Sequence, residues 1–179
     1  NRVYKPGLSF NFSKDKGKTF NTGLTSSYGG GYHSDLHALW ISPRDNRFMY
    51  LGTDGGVYVS HDQGINWKMA RNLPLSQFYH VSVDMDKPYN VYGGMQDNGS
   101  WFGPSAGPRG VKNSDWYNVN SGDGFYVFRD PGDPDIIYSQ YQGGNISRLY
   151  MSTQEVKTIK PYEDATTEKL RFNWNAPVV

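Results

Sequence analysis

Four carboxylates and two imidazoles hold the chemistry open to this chain: Asp35, Asp54, Asp97 and Asp123, with His33 and His37. Two carboxyl groups about 5 to 5.5 Å apart across a glycosidic bond support retaining hydrolysis, and about 6.5 to 9.5 Å apart support inversion. Asp97 and Asp123 fall in neighbouring repeats and form the candidate catalytic pair. Which of them would act as the acid follows from burial, not from residue type. His33-Ser-Asp35-Leu-His37 offers a second chemistry. Along an extended strand residues two apart face the same way, so two imidazoles and a carboxylate could hold Zn²⁺ or Fe²⁺. The Tyr28-Gly-Gly-Gly-Tyr32 run before it argues for a loop, where that alternation lapses and a histidine simply hydrogen-bonds at a junction. No cofactor is expected.

Short strands must position these side chains. Leu51-Gly-Thr-Asp54-Gly-Gly-Val-Tyr-Val-Ser60 reads as strand, glycine turn, strand. It runs into Ser60-His-Asp62-Gln-Gly64-Ile-Asn66-Trp67, which fits the Asp-box pattern Ser-x-Asp-x-Gly-x-Thr-Trp with Asn for Thr. In such a turn the Asp accepts backbone N–H bonds, the Gly takes a left-handed conformation, and the aromatic packs beneath. Ser13-Lys-Asp15-Lys-Gly17-Lys-Thr19-Phe20 is a second copy 47 residues upstream, with Phe20 for Trp. The structural set is therefore Ser13, Asp15, Gly17 and Phe20 together with Ser60, Asp62, Gly64 and Trp67.

A longer repeat is set by three tyrosines. Ser42 to Tyr50, Asp84 to Tyr92 and Asp130 to Tyr138 align as strand, Pro/Asp/Asn turn, strand, with Tyr50, Tyr92 and Tyr138 spaced 42 and 46 residues apart. A period of about 40 to 50 residues of β-hairpins marks propeller blades. The expectation is an all-β partial β-propeller of four-stranded antiparallel blades. Three are whole, at about 35–71, 77–120 and 123–162, between partial blades at about 1–22 and 170–179.

The totals fit that architecture. Aromatics make up 16% of the 179 residues, with 21 Gly and 10 Pro, which suits short strands joined by tight turns. A net charge of +1 with mixed signs gives no basic stripe and argues against nucleic acid. No apolar run approaches the roughly 18 residues of a membrane span. The absence of cysteine excludes disulfides and thiolate metal sites. The chain opens at Asn1-Arg2 without an initiator Met or an export-signal core, and is expected to start within a longer protein. Three blades with open edges need partners, expected to be remaining blades of the same protein or other chains of a complex.

His33-Ser-Asp-Leu-His-Ala-Leu-Trp-Ile-Ser-Pro43, Leu51 to Ser60, Gln77-Phe-Tyr-His-Val81, Tyr92-Gly-Gly-Met-Gln-Asp-Asn-Gly-Ser-Trp101, Gly122-Asp-Gly-Phe-Tyr126 and Leu170-Arg-Phe-Asn-Trp-Asn-Ala-Pro177 resemble the bacterial sortilin-like Asp-box (BNR-type) propeller proteins. That resemblance implies a large secreted or periplasmic protein, hence an extracytoplasmic location. Such proteins are often labelled glycosyl hydrolases through a more distant likeness to xyloglucan-cleaving propellers, whose local carboxylate motifs have no match here. Fold alone does not fix function. Phe128-Arg-Asp-Pro131 resembles a sialidase element but falls in the repeated hairpin turn and is read as turn.

Propeller geometry gathers the candidate ligand residues His33, Asp35, His37, Asp54, Gln96, Asn98, Trp101 and Gln142 at one rim, with Asp97 and Asp123. The alternative is that these Asx residues bond their own turns. Among the aromatics, Trp101 is expected exposed, with Phe102, Trp116, Tyr141 and Trp174 as further surfaces for sugar or peptide. Trp40, Trp67 and Trp116 are expected in the core. Asn11, Asn98 and Asn145 open glycosylation patterns that chance explains. The expected function is peptide or glycan binding, or an assembly surface. The alternatives are a glycoside hydrolase or a purely structural segment.

Overall fold

The computed structural model describes residues 2–22, 31–73, 75–162 and 168–178, and its strands form two compact units, Asn1–Leu75 and Ser76–Val179. Tyr28, Gly29 and Gly30 lie outside the described residues. Alternating apolar residues punctuated by Gly, Asp and Pro turns give short antiparallel strands joined in sequence order. In the first unit β1 (Val3–Lys5), β2 (Asn11–Ser13) and β3 (Asn21–Thr22) make a three-stranded sheet. β4 (Leu36–Ile41), β5 (Met49–Thr53), β6 (Gly56–Ser60) and β7 (Lys68–Met69) make a four-stranded one. The second unit holds two four-stranded sheets. They are β8 (Phe78–Val83) to β11 (Tyr117–Asn120) through β9 (Asn90–Met95) and β10 (Gly99–Pro104), then β12 (Gly124–Arg129), β13 (Ile136–Tyr141), β14 (Asn145–Tyr150) and β15 (Glu155–Thr158). The chain is an all-β partial propeller.

The tyrosine repeat holds as register. Tyr50, Tyr92 and Tyr138 each lie on the second strand of a sheet, opposite Trp40, Ser82 and Phe128 of the first. In the second unit the hydroxyls of Tyr92 and Tyr138 donate to Asp84 and Asp130, eight residues back across the hairpin, at 2.8 and 3.0 Å. Each first strand also shifts register near its start, between Leu36 and Ala38, Phe78 and His80, and Gly124 and Val127. Such irregularities re-aim the side chains beside a rim.

In the first unit Phe10, Tyr32, Met49, Leu51 and Trp67 form the buried core. The two Ser-x-Asp-x-Gly turns share one bonding scheme. Ser13 Oγ and Ser60 Oγ accept from the N–H of Gly17 and Gly64, and Asp15 and Asp62 accept from the N–H of Thr19 and Asn66. Lys16-Gly17 and Gln63-Gly64 both take positive φ. The turns diverge at the aromatic. The Trp67 indole donates to Gly64 O at 3.1 Å and packs edge-on against Phe10, whereas Phe20 is exposed rather than packed beneath its turn. Phenylalanine has no N–H with which to make the anchoring bond.

The sheets of the second unit share a core of Tyr92, Val119, Val127, Ile137 and Leu149 and meet backbone to backbone at one crossing. A Cβ added to Gly94 on β9 would sit 2.1 Å from the carbonyl carbon of Gly124 on β12, and one added to Gly124 would sit 2.3 Å from Gly99 O. Ser82 Oγ donates to Val127 O at 2.6 Å, and Arg129 grips Asp86 with two bonds of 2.7 and 2.9 Å. Burial pushes the Asp84 carboxyl up, but bonds from the Asn90 side chain and backbone and from the Tyr92 hydroxyl outweigh it, holding the group down at about 2. The 170–179 segment, expected to open a further blade, contains no strand among its described residues. Instead, residues 172–175 lie against the β13–β14 turn and the approach to β12, as their contacts below describe.

Gly94→Ala is expected to destabilise the fold by about 3 kcal/mol, since neither backbone can yield the space. Gly52, its counterpart on β5, would place a Cβ only in ordinary contact with Ala38 at 3.4 Å, so Gly52→Ala serves as the mild control in the same denaturant titration. The folded Asp84 carboxyl titrates below its ordinary value, so its contribution is complete above about pH 4. It is lost as the pH falls through about 2. Asp84→Asn should flatten the acid limb of stability against pH between those values.

Candidate rim site

In the first unit the rim residues come together in one sheet. Strand β4 starts only at Leu36, and Asp35 has φ +59°, so strand alternation never reaches His33. His33 Nδ1 faces Ser34 O at 3.1 Å while its ring lies over Gly55, where an added Cβ would meet the ring at 2.5 Å. His37 Nε2 pairs instead with Asp54 Oδ1, and Asp35 Oδ2 accepts from Ser34 Oγ. The shared face imagined for His33, Asp35 and His37 is therefore not formed, because the backbone turns left-handed between them. Among the described residues no group of three or more His, Asp or Glu converges.

The second unit assembles a longer relay. Asp97, at φ +55° in the β9–β10 turn, donates its N–H to Asp123 Oδ1 at 2.8 Å. The other oxygen, Asp123 Oδ2, accepts from the Trp174 indole at 2.9 Å. The Asp123 N–H in turn donates to Gln142 Oε1 at 2.8 Å, and Gly143 N–H donates to Trp174 O at 3.0 Å. Asp97, Asp123, Gln142 and Trp174 thus form one connected cluster, with Asp123 buried at its centre. Gln96 and Asn98 close their own turn, Asn98 Nδ2 donating to Gln96 O at 2.8 Å.

The aromatics are placed otherwise than expected. Trp101 is half-buried, its indole tied to Asn98 O at 2.6 Å, whereas Trp174 is 61% exposed. Trp40 is partly exposed over Phe48 and Tyr50 rather than in the core. Trp67 is buried, and Trp116 is half-buried against Phe78 and Gly103. The contacts of four side chains escaped the sequence reading. His80 stacks on Tyr126 at 4.0 Å and meets Asn175 Nδ2 at 2.9 Å, while Lys160 donates to Gly143 O at 3.0 Å. Charge in the sequence did not single out Lys160, because Glu163, Asp164 and Glu168 are interleaved with Lys160, Lys169 and Arg171. The asparagines of the three glycosylation patterns each spend their amide on a backbone carbonyl of Ser9, Gln96 or Gln142.

No family model matches the chain. Over 86 residues, 45% of its length, the sequence is 33% identical to the xyloglucanase Xgh74A of Acetivibrio thermocellus. The chain spans only about 10% of that protein. Among solved structures it is similar to a GH74 enzyme of Niastella koreensis at 17% identity and TM-score 0.34, covering 90% of this chain and 28% of that one. It is also similar to the GH74 xyloglucanase of Xanthomonas campestris at 17% identity and TM-score 0.33, covering 93% and 30%. The chain spans less than a third of each of these proteins.

Asp123→Asn keeps the shape of the hub but turns an N–H₂ group toward one of its two N–H donors. It should cost about 1–3 kcal/mol through the donor left unpaired. Denaturant unfolding followed by near-ultraviolet circular dichroism measures this, and Asp123→Ala should cost at least as much.

Proposed function

We propose that this chain is a glycan-binding face of an extracytoplasmic Asp-box propeller of the sortilin-like kind, and that it acts by adhesion rather than bond cleavage. Trp174 carries the reading. It is 61% exposed, yet its indole is fixed on Asp123 and its carbonyl on Gly143. A flat ring ordered before the ligand arrives loses little entropy when a sugar stacks on it. Both Asp123 oxygens accept bonds from the protein's own N–H groups, which suits the carboxylate to holding Trp174 and the Asp97 turn. Asp97, Gln142 and Asn98 act with it as positioning residues. Export is inferred from the sequence resemblance.

A second reading is glycoside hydrolysis by Asp97 and Asp123. The identity to a xyloglucanase and the bond that sets the two residues side by side favour it. Affinity electrophoresis in gels containing xyloglucan or other β-glucans separates the two. Trp174→Ala should weaken retention about tenfold, the loss of about 1.4 kcal/mol of stacking. No reducing ends should appear from the unaltered chain. An Asp97→Ala/Asp123→Ala variant that stays bound while a measurable hydrolysis vanishes would establish the second reading instead.

A further inference from the structure

We infer that the ligand of this rim is an acidic polysaccharide, whose carboxylates are received in a cationic cleft next to Trp174. This rests on the glycan-binding reading above. The cleft, of about 850 Å³, opens between the segment following β15 and the segment leading to Trp174, and is lined by Thr158, Lys160, Tyr162, Lys169, Arg171 and Phe172 among others. Its described lining carries three cations and no Asp or Glu, and Glu163 and Asp164, in the stretch that joins its two walls, lie outside the described residues. Glu168 is exposed and does not line it.

The cleft is built rather than incidental. Lys160 Nζ is fixed by Gly143 O at 3.0 Å and by Asn145 Oδ1 at 3.4 Å, and it stands 4.8 Å over the Phe172 ring. Phe172 presses on Gly144, where an added Cβ would meet the ring at 2.3 Å, so only glycine at φ +70° lets the two segments close. The neighbouring Gly143 N–H holds Trp174 O. One turn therefore supports both the charged wall and the aromatic platform. Lys169 and Arg171 alternate along the segment that leads to Trp174, and Tyr162 is 89% exposed.

The chemistry matches a uronic acid chain. Each sugar offers an apolar face to an aromatic ring and a carboxylate to a cation, and the planar guanidinium of Arg171 can take that carboxylate with two parallel bonds. A neutral glucan would leave these three cations without an anionic partner.

Calorimetry of the full chain against polygalacturonate and against neutral xyloglucan of similar length tests this. The expected result is at least tenfold tighter binding of polygalacturonate, weakening as salt rises from about 50 to about 300 mM. Lys169→Gln/Arg171→Gln should abolish that preference and leave circular dichroism unchanged, while Trp174→Ala should lose both glycans. Equal or tighter binding of xyloglucan, or a preference that survives the double variant, would overturn the acidic-ligand inference and leave the glycan-binding reading standing. Polyglutamate competing as well as polygalacturonate would also overturn it, in favour of anion binding without sugar recognition. Failure to bind either glycan would overturn both.

Discussion

The rim of the second unit depends on two sheets that touch backbone to backbone where β9 passes β12. At Gly94 and Gly124 the strands β9 and β12 approach so closely that a methyl group on either would collide with backbone or with Ser100. That approach brings the Asp97 N–H within reach of the Asp123 carboxylate, and Gly99 N–H within 2.9 Å of Gly122 O. Further out, Ser82 to Val127 and Arg129 to Asp86 hold the same pair of sheets. The contact is steric first and polar second. Removing the space would misplace every bond that follows.

The rim carboxylates behave as fasteners. Asp35 and Asp97 both occupy the left-handed region, which Asp tolerates better than most residues. Asp54 pairs with His37, Asp123 with two N–H donors, and Asp84 and Asp130 with the tyrosine eight residues on. Acids spent in this way fix their neighbours, and Asp123 fixes the Trp174 indole.

Most of the fold could be read before any coordinates. The spacing of Tyr50, Tyr92 and Tyr138 gives the strand register because a hairpin repeat fixes which residues face one another. The bonding of Asp15 and Asp62 likewise follows from local turn chemistry. The site could be read only in part. Asp97, Asp123 and Gln142 do meet, since neighbouring blades bring their turns together. Trp174 is exposed as expected, whereas Trp101 is drawn in because its indole N–H finds Asn98 O in its own turn. Leu170 to Asn175 has the alternation of a strand but pairs with none among the described residues. Alternation describes what a segment can pair with, and pairing needs a partner in place.

One dipeptide at the sheet junction carries a chemical consequence. Asn-Gly pairs age by attack of the glycine nitrogen on the asparagine side chain, which closes a succinimide and releases ammonia. At Asn98-Gly99 that nitrogen gives its hydrogen to Gly122 O, and the amide that must leave is bound to Gln96 O. The folded chain therefore protects a bond that its unfolded form would lose early. The slow appearance of aspartate and isoaspartate at position 98 would record how often the two sheets part.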